Sequence, residues 1–244
     1  MAILIIFVSH WYLSLFFQSF YHHRYSAHRM FSMSKFWEKV FYIGSFITQG
    51  SSYLSPYVYG AMHRMHHAYA DTEKDPHSPK YDATMMSMML RTRKIYLDIE
   101  HGVAQLGQAF TKNLPEWKAF DKFASSRITR LVWILVYIVL YVLFANSWWL
   151  YLLIPLHIVM GPLHGVIINW FAHKYGYTNH AAEDTSKNLF PVDLIMLGEG
   201  LHNNHHKFGG RPNFGYRWFE FDPIYPIILL FDKLRIIRLA KANV

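Results

Sequence analysis

The sequence predicts an all-α integral membrane protein: about three transmembrane helices plus a re-entrant or interfacial segment, with a cytosolic helical cap that holds a dinuclear metal site. Three observations carry this expectation. Only 16% of the 244 residues are charged, against roughly 25% in a soluble domain, and residues 1–21 and 131–173 contain no Lys, Arg, Asp or Glu at all. Cysteine is absent, which excludes disulfides, thiolate zinc sites and cysteine-ligated iron–sulfur clusters. Sixteen histidines remain, and they are the abundant metal-binding side chains.

A net charge of +8 ordinarily raises nucleic acid as a partner. Here every basic residue lies outside the uncharged stretches, which is the distribution of a membrane protein, so the expected partner is the bilayer and not nucleic acid. The whole chain, 1–244, reads as a single domain with spans at about 3–21, 131–145 and 148–172 and a cap from 22–130 and 173–244.

Residues 1–21 lack the basic start and small-residue cleavage site of a secretory signal, and read as a retained anchor. The uncharged run 131–173 would make roughly 65 Å of helix against a hydrocarbon core of about 30 Å, hence two crossings. The break is expected at Asn146 and Ser147, just before the interfacial rings of Trp148 and Trp149. Pro155, Gly161, Pro162 and Gly165 predict a kinked return helix. Arg24, Arg29, Lys35, Lys39, Arg127, Arg130 and Lys174 flank these spans and put their ends in the cytoplasm by the positive-inside rule.

Residues 40–62 are uncharged but carry Gly44, Gly50, Ser51, Ser52, Pro56 and Gly60. A crossing there would separate the histidines before it from those after it, so this segment is expected to dip into the membrane or lie in its interface. Met85 to Phe123 reads as cytosolic helices, and Tyr225 to Leu239 as an amphipathic interfacial helix.

His63, His66 and His67 have the spacing i, i+3, i+4, as do His202, His205 and His206. On a helix each triplet shares one face. His23 and His28 add a third cluster whose five-residue separation lets the rings converge only where the backbone departs from a regular α-helix. His173 stands four residues after Asn169, at the end of the return helix. Nine histidines and a carboxamide from four segments are enough for two metal ions, since one zinc needs four ligands. Imidazole suits iron, copper, nickel and zinc alike.

The ferritin-like bundle uses paired Glu-x-x-His motifs, whereas this chain has one, Glu199 with His202. Glu199 therefore reads as a carboxylate that orients a ligand histidine. Asp75, with Asp71 and Glu73, could do the same, although an acidic solvated turn is the simpler account. His10, His22, His77, His101, His157, His164 and His180 are read as hydrogen-bonded or solvent-facing rings. His22 competes with His23 for the first cluster, and His164 lies inside a span, where an ionisable residue is a functional candidate by default.

At these residues the chain resembles the integral-membrane fatty acid desaturases, closest to the acyl-CoA delta-9 branch. The strings are HRYSAH at 23–28, HRMHHAYADTEKDPHS at 63–78, NWFAHKYG at 169–176 and GEGLHNNHH at 198–206. YRW at 216–218 and the run from Trp218 to Asp222 also look like this family's tail. The resemblance implies two iron ions ligated by His23, His28, His63, His66, His67, His173, His202, His205 and His206, with Asn169 holding a metal-bound water. It further implies a bent apolar tunnel for an acyl chain. Gln49-Gly50-Ser51 resembles a motif that assigns Gln49 to substrate binding at the tunnel bend. The family commonly has four spans and one precedes the first box here, so either a start lies upstream or the short form is native.

The resemblance also implies a reaction in which dioxygen is reduced to water while a cis double bond enters a long acyl chain, delta-9 in acyl-CoA. No dinucleotide fingerprint or haem module is visible in the chain, so a separate ferredoxin-like or cytochrome b5-like electron donor is expected. Two rivals are a membrane di-iron hydroxylase of an alkyl or lipid substrate and, outside enzymes, a membrane metal carrier or sensor.

Overall fold

A computed structural model describes residues 1–240; the last four residues of the expected cap lie outside the described residues. Helix α1 (Ala2–Phe17) runs on without a break into a π-helical stretch, Gln18–Ala27, and a short strand β1 (Phe31–Met33) follows. Next come α2 (Lys35–Gln49), a 3₁₀ turn (Gly50–Ser52), α3 (Pro56–Tyr69), α4 (Met85–Glu100), α5 (Gln108–Thr111) and α6 (Lys118–Ala124). Then α7 (Arg127–Phe144) leads to a 3₁₀ segment (Trp148–Leu153), α8 (Ile154–Ile158), α9 (Met160–Asn169) and a 3₁₀ turn (Phe171–His173). Helices α10 (His202–Lys207) and α11 (Ile224–Lys233) and strand β2 (Ile237–Leu239) complete the chain.

Among the described residues two helical stretches are long and apolar enough to cross a membrane, Ala2–Ala27 and Arg127–Phe144, and a third exists if Trp148–Ile158 and Met160–His173, bent by 65°, count as one. Their outward faces are oily: Ile5, Val8 and Leu13 on α1, and Leu131, Leu135, Val142 and Leu143 on α7 are exposed, as lipid-facing positions require. Helix α7 begins earlier than the uncharged run does, because Ser126 caps it by accepting from Thr129 N–H at 3.1 Å. The kink predicted in the return segment falls at Val159, between α8 and α9.

The 40–62 segment is two helices and not one. Helix α2 stops where Gly50 takes φ +52°, and a Cβ there would collide with the Tyr137 hydroxyl. Arg130 on α7 locks this break by donating to Ser51 O at 2.8 Å and Tyr53 O at 3.0 Å. Pro56 then restarts the chain as α3 behind a Ser55 cap. This break sends α3, with three histidines, back along the π-helical stretch against which it packs.

The C-terminal segment departs from the expected continuous amphipathic helix. Helix α11 ends at Lys233, Arg235 adopts φ +58°, and β2 pairs antiparallel with β1, Phe31 opposite Leu239. Between them an aromatic core of Phe20, Tyr21, Tyr25, Phe31, Phe41, Tyr42 and Tyr53 is fully or nearly fully buried. It fixes the π-helical stretch from behind. Arg24 is also buried and pairs with Asp222 at 2.8 Å, so it is not one of the surface charges that orient the spans.

Candidate metal centre

The π-helical geometry answers the five-residue spacing of the first cluster. A π-helix bonds i to i+5, and His28 N–H donates to His23 O at 3.1 Å. One turn therefore stacks the two rings on the same side. On α3 and α10 the ordinary α period does the same for His63, His66, His67 and for His202, His205, His206. Asn203 and Asn204, between the histidines of α10, anchor it: Asn188 Oδ1 accepts from both backbone N–H groups, at 3.0 and 3.2 Å.

The rings assemble into two adjoining groups. His23, His28, His63, His67 and His205 form one, and His66, His173, His202 and His206 the other, each with its ligand atoms within 4.8 Å of one another. In the first group Nε2 atoms meet in series: His28 to His63 at 2.8 Å, His63 to His67 at 3.0 Å, His67 to His205 at 2.9 Å and His205 to His23 at 2.9 Å. In the second, His66 meets His206 at 3.2 Å and His173 meets His202 at 3.1 Å. The groups touch where the His67 and His206 rings stand 4.6 Å apart.

This donor set fits metal ions. Nitrogens bound at about 2.0–2.1 Å to one ion lie roughly 3 Å from one another. Burial and neighbouring imidazoles push His63, His202 and His205 well below the usual histidine range, so these rings are neutral at physiological pH, the form that ligates. Burial also lowers His206, to about 4, partly offset by its hydrogen bond to Asp184.

Carboxylates fix the tautomers from behind. A carboxylate accepts only, so His66 Nδ1–H donates to Asp75 at 3.0 Å and His206 Nδ1–H to Asp184 at 2.7 Å, leaving Nε2 as the lone pair. His173 Nδ1 lies 3.6 Å from Asp71 and 3.2 Å from the Thr185 hydroxyl, which itself donates to Asp71 at 2.7 Å. Burial alone would raise Asp71, Asp75 and Asp184; hydrogen bonds, the histidine contacts foremost among them, outweigh it and hold all three well below the carboxylate range. His23 Nδ1 sits in close charge contact with Glu199 Oε2, without the alignment of a hydrogen bond.

Of the acidic turn after His67, Asp71 and Asp75 are thus buried against His173 and His66, while Glu73 is exposed. Asp184 and Thr185 were not identified from sequence; they lie in the irregular chain after Tyr177, where no periodicity singles them out. His22 turns away from the centre, its Nε2 2.9 Å from Leu54 O. The His77 ring lies tilted beside His66 with centroids 4.4 Å apart, and among the described residues neither of its ring nitrogens is paired.

A cavity of about 1420 Å³ opens beside the two groups, with His23, His63 and His202 in its wall. Leu54, Val58, Met62, Met89, Tyr96 and Ile168 make it largely apolar, and Asn169 faces it. Gln49 spends its carboxamide oxygen on Leu54 N–H at 3.0 Å; Ser51 and Ser52 line the cavity beside it.

The fatty acid desaturase family profile matches residues 1–232. The chain is 31% identical over 205 residues to the sn-1 stearoyl-lipid 9-desaturase of Synechocystis, covering 82% of this chain and 59% of that protein. It is 30% identical over 220 residues to the delta-9 desaturase-like 4 protein of Arabidopsis thaliana, covering 89% and 69%. An acyl-CoA 5-desaturase of Anemone leveillei is 26% identical over 219 residues, covering 87% and 63%. The chain thus spans about three fifths of the Synechocystis relative's length. With the family profile extending over nearly all of its residues, the chain belongs to the fatty acid desaturase family.

Proposed function

We propose that the chain is an oxygen-dependent fatty acyl desaturase, an oxidoreductase that places a cis double bond in a long acyl chain. Two irons would be held by the two histidine groups, one by each, and Asn169 would hold a metal-bound water. The observation that carries this reading is the opening of both groups, through His23, His63 and His202, onto one apolar cavity. Bound there, two irons would supply the dioxygen activation needed to remove hydrogen from an unactivated methylene, chemistry beyond side-chain acids and bases.

The chain's own residues do the rest. Asp75 and Asp184, and Asp71 through Thr185, hold their imidazoles in one tautomer and orientation, and Glu199 stands against His23. The apolar wall threads the acyl chain past the centre and keeps bulk water out. Arg93, Lys118, Lys122 and Arg127 line the same cavity and suit the phosphates of an acyl-CoA. The names of the Synechocystis and Arabidopsis relatives support position nine for the double bond.

The chain acts as one domain, with spans at about 3–21, 131–145 and 148–172, within the helices Ala2–Ala27 and Arg127–Phe144 and the bent pair, and the centre in a cap on the cytoplasmic side. Exposed Lys35, Arg127 and Lys174 support that orientation. A ferredoxin-like or cytochrome b5-like protein brings the electrons to this basic face. The test is expression in a host lacking unsaturated fatty acids, with products located by mass spectrometry. Loss of two hydrogens at one position is expected; gain of one oxygen would identify a hydroxylase, and unchanged lipids with metal bound a carrier.

A further inference from the structure

Both histidine groups present bare Nε2 atoms, but what stands behind them differs. In the group of His66, His173, His202 and His206, three of the four rings face aspartates: Asp75 at 3.0 Å, Asp71 at 3.6 Å and Asp184 at 2.7 Å. In the other group, among the described residues, only His23 meets a carboxylate, Glu199 Oε2, and the charge of that carboxylate is shared with Arg24 at 2.7 Å and the Ser19 hydroxyl at 2.5 Å, both on Oε1. Among the described residues no carboxylate pairs with His28, His63, His67 or His205, and the His205 Nδ1 is buried without a partner.

An imidazole backed by a carboxylate is the more basic ligand, and losing such a partner typically costs about 10–100-fold in metal affinity. The anions also stabilise a dication directly in a buried, low-dielectric site. The fifth imidazole of the other group works in the opposite sense, but as a neutral donor it adds less to the binding of a dication than two further anions do in a low-dielectric interior. We propose that the two metal positions are unequal by construction: the four-histidine position, backed by Asp71, Asp75 and Asp184, takes the first divalent cation and holds it more tightly than the five-histidine position. This rests on the reading of a paired metal centre given above and assigns it an order of loading.

Asp184 is the position to alter, because among the described residues its side chain accepts, apart from His206, from Ser186 N–H alone, at 2.8 Å. The full-length, metal-free protein in detergent is titrated with Co²⁺, and retained cobalt is counted after challenge with graded chelator. Wild type should hold two equivalents and release them in two phases. D184N should weaken the tighter phase by about 10–100-fold, D184E should restore it, and E199Q should weaken only the looser one. The proposal is overturned if wild type releases two equivalents in a single phase, or if E199Q and not D184N weakens the tighter phase. Binding of fewer than two equivalents by folded wild type contradicts the paired centre itself, a different result from either. Should D184N fail to fold, anomalous scattering from wild type loaded with one equivalent of Co²⁺ decides: density among His66, His173, His202 and His206 supports the order, and density among His23, His28, His63, His67 and His205 overturns it.

Discussion

Nε2 of His23 lies 2.9 Å from Nε2 of His205, although 182 residues separate them. That contact joins the first histidine box to the third and closes the five-membered group. Replacing either ring by alanine is expected to remove one metal equivalent of two and to cut desaturation roughly a hundredfold or more, because a lost ligand exceeds the 10–100-fold effect of a lost supporting partner. Metal analysis of the purified variant beside its lipid products checks both. Two retained equivalents in H205A would contradict the assignment.

Helix α3 is held against the π-helical stretch by the absence of a side chain at Gly60, where a Cβ would stand 2.6 Å from Ser26 Oγ and 2.7 Å from Leu114 Cδ2. G60V should force the first and second boxes apart at a cost of about 1–3 kcal/mol. The expected reading is a lower melting temperature with weakened metal retention; an unchanged melt would show that the two segments are not so closely packed.

Gly165 faces the cavity with only Asn169 Nδ2 at 3.9 Å and Met89 Cε at 4.0 Å near a built Cβ. A larger side chain fits there without backbone strain and takes space from the acyl chain. G165L should therefore reduce conversion of the longest substrates several times more than that of shorter ones, read from product chain lengths. Equal loss across all lengths would remove Gly165 from the acyl path.

The metal-free protein should lose stability on mild acidification. Burial places His63, His202 and His205 well below the usual histidine range and His206 at about 4, whereas in the unfolded chain histidines titrate near 6.5. Depressed folded values mean that the unfolded state binds more protons below pH about 6.5, so stability present above that pH is lost as pH falls toward 4. The depressed carboxyls of Asp71, Asp75 and Asp184 act in the same sense only below about 4, where their unfolded counterparts protonate. Melting followed from pH 7.5 to 5 should show the fall in the metal-free form and a smaller one with metal bound. A flat profile without metal would contradict the burial of neutral rings.

Much of the site was legible because helical periodicity does the assembling. His-x-x-His-His at 63–67 and 202–206 needs only an α-helix to present one face, and the uncharged runs locate α1 and α7 with few residues' error. The i, i+5 pair His23 and His28 was legible as a departure from the α-helix, and the structure supplies its form, a π-helical stretch. What escaped depends on contacts remote in sequence. Asp184 meets His206 from an irregular loop 22 residues away, Tyr137 fills the space beside Gly50 where α2 must stop, and the C-terminal strand exists because residues 31–33 offer it an edge more than 200 residues upstream.

The central claim is that nine imidazoles hold a pair of irons. X-ray absorption at the iron edge of the purified protein, with total iron counted on the same sample, tests it most directly. Two irons per chain are expected, each in a shell dominated by imidazole nitrogen, with outer-shell scattering from the rings. One iron or none in folded protein reconstituted with excess ferrous ion, or a shell of oxygen ligands without imidazole scattering, would contradict it.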